Sequence, residues 1–373
     1  MEQLERATAW IESEPAGFTD AAQLAANLLS HSRQAVFFGM GTDVAGARAA
    51  VSLAERIGAV FDHAHSGSLL RDLDCMREDG VMRTTPGEAR LRADFVLLVG
   101  EDPSLEWPGL HARLLRPGAR PGGHEADRRI VWLAPDAKAR IAGFCGPIET
   151  IAAGEGAALA INLAVLRAAV KGRATESDGY QHLGRLAAEL GSAKFGVAVW
   201  SARHIDVMAL EMLNGLVRDL NGKTRFSTLP LPPPDNAVGV LEASGWMTGF
   251  PPRTGFGLGW PEHDPWRFDA ERLLSCGEAD CGLWISAFGS PLQIRPHAAP
   301  IIALCGQETV FAAPPRLRFA VGRPGVDHDA TLHDPNVGAL VAVAASAPSS
   351  ALSVAATIEA IGGRLDRGYS LPC

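Results

Sequence analysis

Short, mostly apolar runs of three to five residues, most of them followed by a turn and a helix-period stretch, set the rhythm of this chain. Ala35 to Phe38, Ala59 to Phe61, Phe95 to Val99 and Ile130 to Ala134 form one series. Val197 to Trp200, Phe226 to Leu229, Leu283 to Ala287 and Ile301 to Leu304 form a second. Such runs lack the polar alternation of a half-exposed strand, so they read as parallel strands covered on both faces. Helical patterns lie between them, over Val44 to Ile57, Ala157 to Val170 and Ile205 to Leu220. Helices joining parallel strands imply right-handed crossovers. The sequence therefore predicts an α/β fold of two doubly wound parallel-sheet lobes. The third strand of each series ends alike, in Gly100-Glu101-Asp102-Pro103 and in Phe288-Gly289-Ser290-Pro291. A boundary is expected in the polar stretch Lys171 to Gly179, giving a first lobe over 1–170 and a second over 180–373.

The second lobe carries an insertion over 231–274, rich in Pro, Gly and Trp and without helical periodicity. It holds Trp246, Trp260 and Trp266, which reads either as a docking surface or as a cluster pinning the loop to its own lobe. A last packing helix is expected over Leu352 to Ile361.

At 373 residues the chain is long enough for two substantial cores. A net charge of −8, with the basic residues scattered, argues against a nucleic-acid partner. The Arg-rich segment Arg113 to Arg129 is broken by Pro, Gly, Glu and Asp and reads as a solvated loop. The opening residues are acidic and polar, unlike a signal peptide. No stretch is apolar for the length of a membrane span; Asn162 and Arg167 interrupt the most apolar one, which reads as a core helix. Cys75, Cys145, Cys276, Cys281, Cys305 and Cys373 form no C-x-x-C pair and read as reduced structural thiols of a cytoplasmic protein.

Candidate chemistry is sparse. Gly39-x-Gly41 with Gly46 follows a strand and opens a helix, but its spacing departs from the dinucleotide fingerprint, and a tight strand–helix turn explains both glycines. Asp62-His63-x-His65 stands at a strand's carboxyl end, where H-x-H can chelate a metal if further ligands arrive; the alternative is a hydrogen-bonded polar crevice. His328-Asp329 and His333-Asp334 read as surface caps in a loop ended by Pro335. Ser66-Gly67-Ser68 reads as a turn, and no serine has the G-x-S-x-G setting of a hydrolase nucleophile.

Several motifs together resemble a known family. Ala59 to Gly80 (AVFDHAHSGSLLRDLDCMREDG), Thr84 to Pro103, Leu213 to Phe226, the turn Asn236-Ala237-Val238-Gly239 and Trp246-Met247-Thr248-Gly249-Phe250-Pro251 are similar to the catalytic subunit of formylmethanofuran dehydrogenase, a molybdopterin-type oxidoreductase. The resemblance implies that Ser68 falls where the family has its metal-binding cysteine and Leu69 where it has a histidine. A hydroxyl is a poor ligand for a soft metal, and Leu69 has no donor or acceptor. Pro232-Pro233-Pro234-Asp235 replaces a loop of basic and polar residues, and no cysteine precedes Cys75 to hold an iron–sulfur cluster. A branch of the family that lacks the redox centres belongs to the formyltransferase/hydrolase complexes of methylotrophs. Similarity to that branch implies a non-catalytic structural subunit in formaldehyde oxidation. Its implied partners are three other subunits: a metal-dependent hydrolase-like subunit, a C subunit and a formyltransferase. It implies no bound molybdenum, tungsten, pterin or cluster, and no catalytic, cofactor-binding or metal-binding residue is carried over. The alternatives are an active molybdopterin oxidoreductase with Ser68 as ligand, and a free-standing nucleotide-binding enzyme using Gly39 and Gly41.

Overall fold

A computed structural model describes residues 8–115, 128–289 and 298–365, apart from positions 142, 145 and 174–179. In chain order the first elements are β1 (Ala9–Ile11), β2 (Glu14–Ala16), α1 (Phe18–His31), β3 (Ala35–Gly41), α2 (Val44–Ile57), β4 (Val60–Phe61), α3 (Ser66–Asp79), α4 (Pro86–Arg92) and β5 (Phe95–Val99). Next come β6 (Arg129–Ala134), β7 (Glu149–Ala152), α5 (Ala157–Val170), α6 (Gln181–Ser192), β8 (Gly196–Ser201), α7 (Val207–Leu220), β9 (Phe226–Leu231) and α8 (Ala237–Thr248). The remainder are β10 (Thr254–Gly255), β11 (Glu262–His263), α9 (Ala270–Ser275), β12 (Cys281–Ser286), β13 (Ile301–Cys305), β14 (Leu317–Ala320), β15 (Ala330–Asp334), β16 (Ala339–Val343) and α10 (Val354–Gly362).

Two doubly wound lobes are present, but the two series of strands are not segregated between them. One unit comprises 1–67, 234–333 and 340–373; the other comprises 68–233 and 334–339. The expected boundary at 171–179, itself largely outside the described residues, gives way to crossings at 67/68 and 233/234. Apolar runs reveal that a strand is buried on both faces but not which strand lies beside it. Here β12, buried along its whole length, pairs in parallel with β3 on one side and β13 on the other.

The first unit is built on the sheet β11-β10-β4-β3-β12-β13-β14-β1-β2, parallel from β4 to β14 and antiparallel at both margins. One face buries Phe37, Phe61, Leu283, Ile285, Leu304 and Phe319 with residues of α1, α2 and α10. The other buries Val36, Trp284 and Ala303 with Leu273 and Leu274 of α9. α2 starts where Asp43 Oδ1 accepts from Gly46 N at 2.9 Å, and it stops at Gly58, whose φ of +71° suits a residue without Cβ. The second unit is the parallel sheet β7-β6-β5-β8-β9. Residues of α5, α6 and α7 cover one face, and Trp107, Leu110 and Leu114 cover the other.

The insertion over 231–274 differs from the expected long loop. It contains α8, the β10–β11 hairpin and α9. The α8 sequence, AVGVLEASGWMT, scatters small and apolar residues around the helix and so hides its period. Ser66-Gly67-Ser68 likewise is no turn but the start of α3. His333 and Asp334 lie on β15, which pairs with β16, instead of in a loop.

Candidate functional site

In an open α/β sheet the natural ligand crevice lies at the strands' carboxyl ends, where the crossovers change direction. In the first unit this point is between β3, whose crossover through α2 leads to β4, and β12, which is followed by β13 on the other side. β3 ends in a sharp turn: Gly39 has φ +78° and Met40 φ +56°. A Cβ at Gly39 would come within 2.7 Å of Ile285 O, so this glycine permits β3 and β12 to approach. The tight-turn reading explains it.

Asp235 and Asn236 lie across this point. Both non-glycine residues are left-handed, with φ +60° and +57°. Their conformation is held by side-chain bonds. Asn236 Nδ2 donates to Thr42 O at 2.9 Å, and Asn236 Oδ1 accepts from His333 N at 2.9 Å. The proline-led loop thus ties down the backbone following β3.

Asp62, His63 and His65 follow β4 and are indeed brought together. His63 is buried, its Nδ1 accepts from His65 N at 3.0 Å, and its backbone N donates to Ser66 Oγ at 3.0 Å. Burial holds its imidazole far below the usual range, at about 3, with His65 adding to the fall and Asp235 opposing it. His65 Nε2 lies 3.5 Å from Asp235 Oδ2. Burial raises the Asp62 carboxyl to about 6, against the lowering influence of Arg253. Asp62 Oδ2 accepts from Ala270 N at 2.9 Å and lies 3.6 Å from Arg253 Nε. Arg253 also pairs with Asp269 and donates to Pro265 O at 2.6 Å. This is the hydrogen-bonded crevice. Among the described residues no group of three or more His, Cys, Asp or Glu is arranged to hold a metal ion.

The second unit has its own switch point between β5 and β8, and sequence reasoning missed the cluster there. His204 Nδ1 lies 3.0 Å from Glu101, and its Nε2 lies 3.0 Å from the buried Glu106, which also takes Arg203 at 2.7 Å. The available signal was that Glu101 and His204 each follow a predicted strand's carboxyl end. At the start of α4, Thr85 caps the helix: its Oγ1 accepts from Glu88 N at 3.1 Å.

No family model matches the sequence. Over 344 residues the chain is 34% identical to the B subunit of the Fhc formyltransferase/hydrolase complex of Methylorubrum extorquens, covering 91% of this chain and 92% of that one. The chain belongs to this B-subunit family. A solved structure agrees: the crystal structure of the FhcABCD complex from Methylorubrum extorquens with methylofuran matches with a TM-score of 0.84 and 33% identity, over 96% of this chain and 98% of that one. The B-subunit family is related to the dehydrogenases. The B subunit of tungsten-containing formylmethanofuran dehydrogenase 2 of Methanocaldococcus jannaschii is 27% identical over 275 residues, 68% of this chain and 61% of that protein. The Methanococcus maripaludis counterpart is 24% identical over 309 residues, 77% and 69% respectively.

The residues that the resemblance places at the dehydrogenases' metal position do not fit tungsten or molybdenum. Ser68 is 8% exposed in the first turn of α3 and offers only a hydroxyl, and Leu69 beside it is 5% exposed hydrocarbon. Cys75, two turns further on, is a core residue whose thiol burial pushes up to about 11, with Glu211 and Asp72 adding to the rise; a metal ligand needs the reverse. The helix serves packing instead. Arg71 donates to Ala202 O and, at 2.8 Å, to Ile205 O, and Asp72 pairs with Arg83 at 2.7 Å. Cys281 and Cys305 are buried, Cys276 is exposed, and Cys145 and Cys373 lie outside the described residues, as does most of Arg113 to Arg129.

Proposed function

We propose that this chain is a non-catalytic structural subunit of a formyltransferase/hydrolase complex in one-carbon metabolism. In that reading the complex passes a formyl group from tetrahydromethanopterin to a methanofuran-like carrier and hydrolyses it to formate. Catalysis lies in the partners: a metal-dependent hydrolase-like subunit and a formyltransferase, accompanied by a C subunit. The assembly works in the cytoplasm; among the described residues no helix is long and apolar enough to cross a membrane.

The observation that carries the reading is the 34% identity, over 91% of the chain, to a B subunit of such a complex. It is supported by α3, where Ser68 and Leu69 offer no soft-metal ligand and Arg71 clamps the loop after β8. The polar groups at both switch points support it, since they are engaged chiefly with one another. The alternative of a dehydrogenase-type oxidoreductase rests on the more distant relatives alone.

The test is turnover of the assembled complex carrying Ser68→Ala, His65→Ala or Glu101→Gln. Each variant is expected to stay within about threefold of the wild-type rate while the complex remains intact. A hundredfold loss in an intact complex would place catalysis in this chain and reject the proposal.

A further inference from the structure

The three tryptophans of the insertion do not pin it to its own unit: Trp246 is 63% exposed, Trp260 60% and Trp266 71%. Phe250, Leu258 and Met247, from the same stretch, are also exposed. The backbone under them is well fixed. Ser244 Oγ and Thr248 Oγ1 donate to Phe250 O, at 2.5 and 3.1 Å, and Phe250 stacks on His263 of β11 at 6.1 Å. Asp264 Oδ1 accepts from Trp266 N at 2.9 Å, and the Arg272 guanidinium lies 4.4 Å from the Trp266 ring centre. These are ordered aromatic side chains left in water.

Size and charge indicate what covers them. Taking about 250 Å² for a tryptophan, the three indoles alone present roughly 500 Å² of aromatic surface. Summed, that equals the largest apolar patch of a typical monomer, about 300–600 Å². Phe250, Leu258 and Met247 bring the total toward the ~800 Å² that one partner contributes to a standard protein interface. Glu242 lies one helical turn before Trp246 on the same side of α8 and has no ion-pair partner among the described residues; partial burial raises its carboxyl. An uncompensated carboxylate beside an apolar surface favours a partner with a basic rim.

We infer that Trp246, Phe250, Trp260 and Trp266 form the docking surface for a different protein subunit, one that presents apolar pockets edged by Lys or Arg. This rests on the reading of the chain as one member of a multi-protein complex.

The test uses the chain co-expressed with the three other subunits. Hydroxyl-radical footprinting of the wild-type complex is expected to show the three indoles oxidised at least tenfold more slowly than a free tryptophan peptide. Trp246→Glu/Trp260→Glu is expected to weaken assembly at least a hundredfold and Glu242→Lys about tenfold, while Trp246→Phe/Trp260→Phe restores most of it. Indoles that oxidise at the free rate in an intact complex would overturn the inference, as would full assembly of the Glu double variant. Protection arising in a homodimer of this chain would overturn the choice of partner. A wild-type chain that captures none of the three subunits would instead reject the subunit reading, and the inference with it.

Discussion

The carboxyl end of β4 and the hairpin beside it share one sheet margin, since β4 pairs with β10 and β10 with β11. They treat their side chains in opposite ways. After β4, polar groups are buried and turned on one another: Asp62 to Arg253 and Ala270 N, His63 to Ser66 and His65, His65 to Asp235. Along the hairpin, aromatic groups that would stabilise a core stand in solvent. Sites that evolve toward substrate keep polar groups available, and surfaces that stay in water avoid large apolar patches. In this chain most crevice groups bond to one another, Asp62 Oδ1 and His63 Nε2 being buried without a hydrogen-bond partner among the described residues, and the contrast sets a largely satisfied crevice against the surface inferred above to dock a partner.

The largest effect that sharpens this contrast concerns packing. Phe61 is fully buried and stacks with Phe256 at 6.3 Å. Phe61→Ala should cost about 3–5 kcal/mol in urea unfolding, the usual range for emptying a core aromatic site. Trp260→Ala, at an exposed position, should stay within about 0.5 kcal/mol. Equal costs would erase the distinction between the two regions.

The next effect tests whether the crevice is structural. Asp62 has a folded-state pKa of about 6, above its ordinary 3.8, so the folded state favours the protonated carboxyl. Its ionisation opposes folding as pH rises from 3.8 toward 6, and the cost is fully present above that. Asp62→Asn keeps an acceptor for Ala270 N and should therefore stabilise the protein by roughly 2–3 kcal/mol at pH 8, an advantage that disappears near pH 4. Stability curves of the two proteins against pH check this.

His63 acts with the opposite sign. Its folded pKa of about 3 lies below its ordinary 6.5, so the unfolded chain takes up the proton first and stability falls as pH drops through 6.5. His63→Asn retains an acceptor for His65 N and should remove about 2 kcal/mol of that acid-side loss by pH 5. A variant with the wild-type pH profile would show that His63 is not buried neutral.

Much of this arrangement was legible beforehand. Val44 to Ile57 is a helix with the expected bounds because apolar period and caps agree there, and Ala157 to Val170 is one as well, carried by its run of Ala and Leu without a side-chain cap. The buried runs at Phe95 and Leu283 are strands because they are almost wholly apolar, with only Ser286 at the end of the second. Strand neighbours were not legible: nothing within Cys281 to Ser286 says that it enters beside β3, and that one insertion interleaves the two lobes. α8 escaped notice because its exposed face carries Trp246 and Met247 and its buried face small residues, so no polar stripe marks the period. At the site, the resemblance placed Ser68 and Leu69 where the dehydrogenases carry a cysteine and a histidine, and both residues lie near the start of α3. The role of Asp235 and Asn236 depends on left-handed backbone and on bonds to Thr42 and His333, which are distant in sequence.

The smallest expected effect is the most pointed for the lost chemistry. Ser68→Cys restores a thiol at the family's ligand position with nearly the same volume. It should change stability by less than about 1 kcal/mol and leave turnover of the complex unaltered. A gain of bound tungsten or molybdenum by this variant would show that the pocket survives and that only the ligand was lost.

The central claim, that this subunit holds structure and not redox chemistry, is tested most directly by elemental and pterin analysis of the natively purified complex. The account predicts no pterin and no molybdenum, tungsten or iron in stoichiometric amount with this chain. Stoichiometric tungsten or molybdenum accompanied by pterin would contradict it, and Ser68 would then be read as a metal ligand.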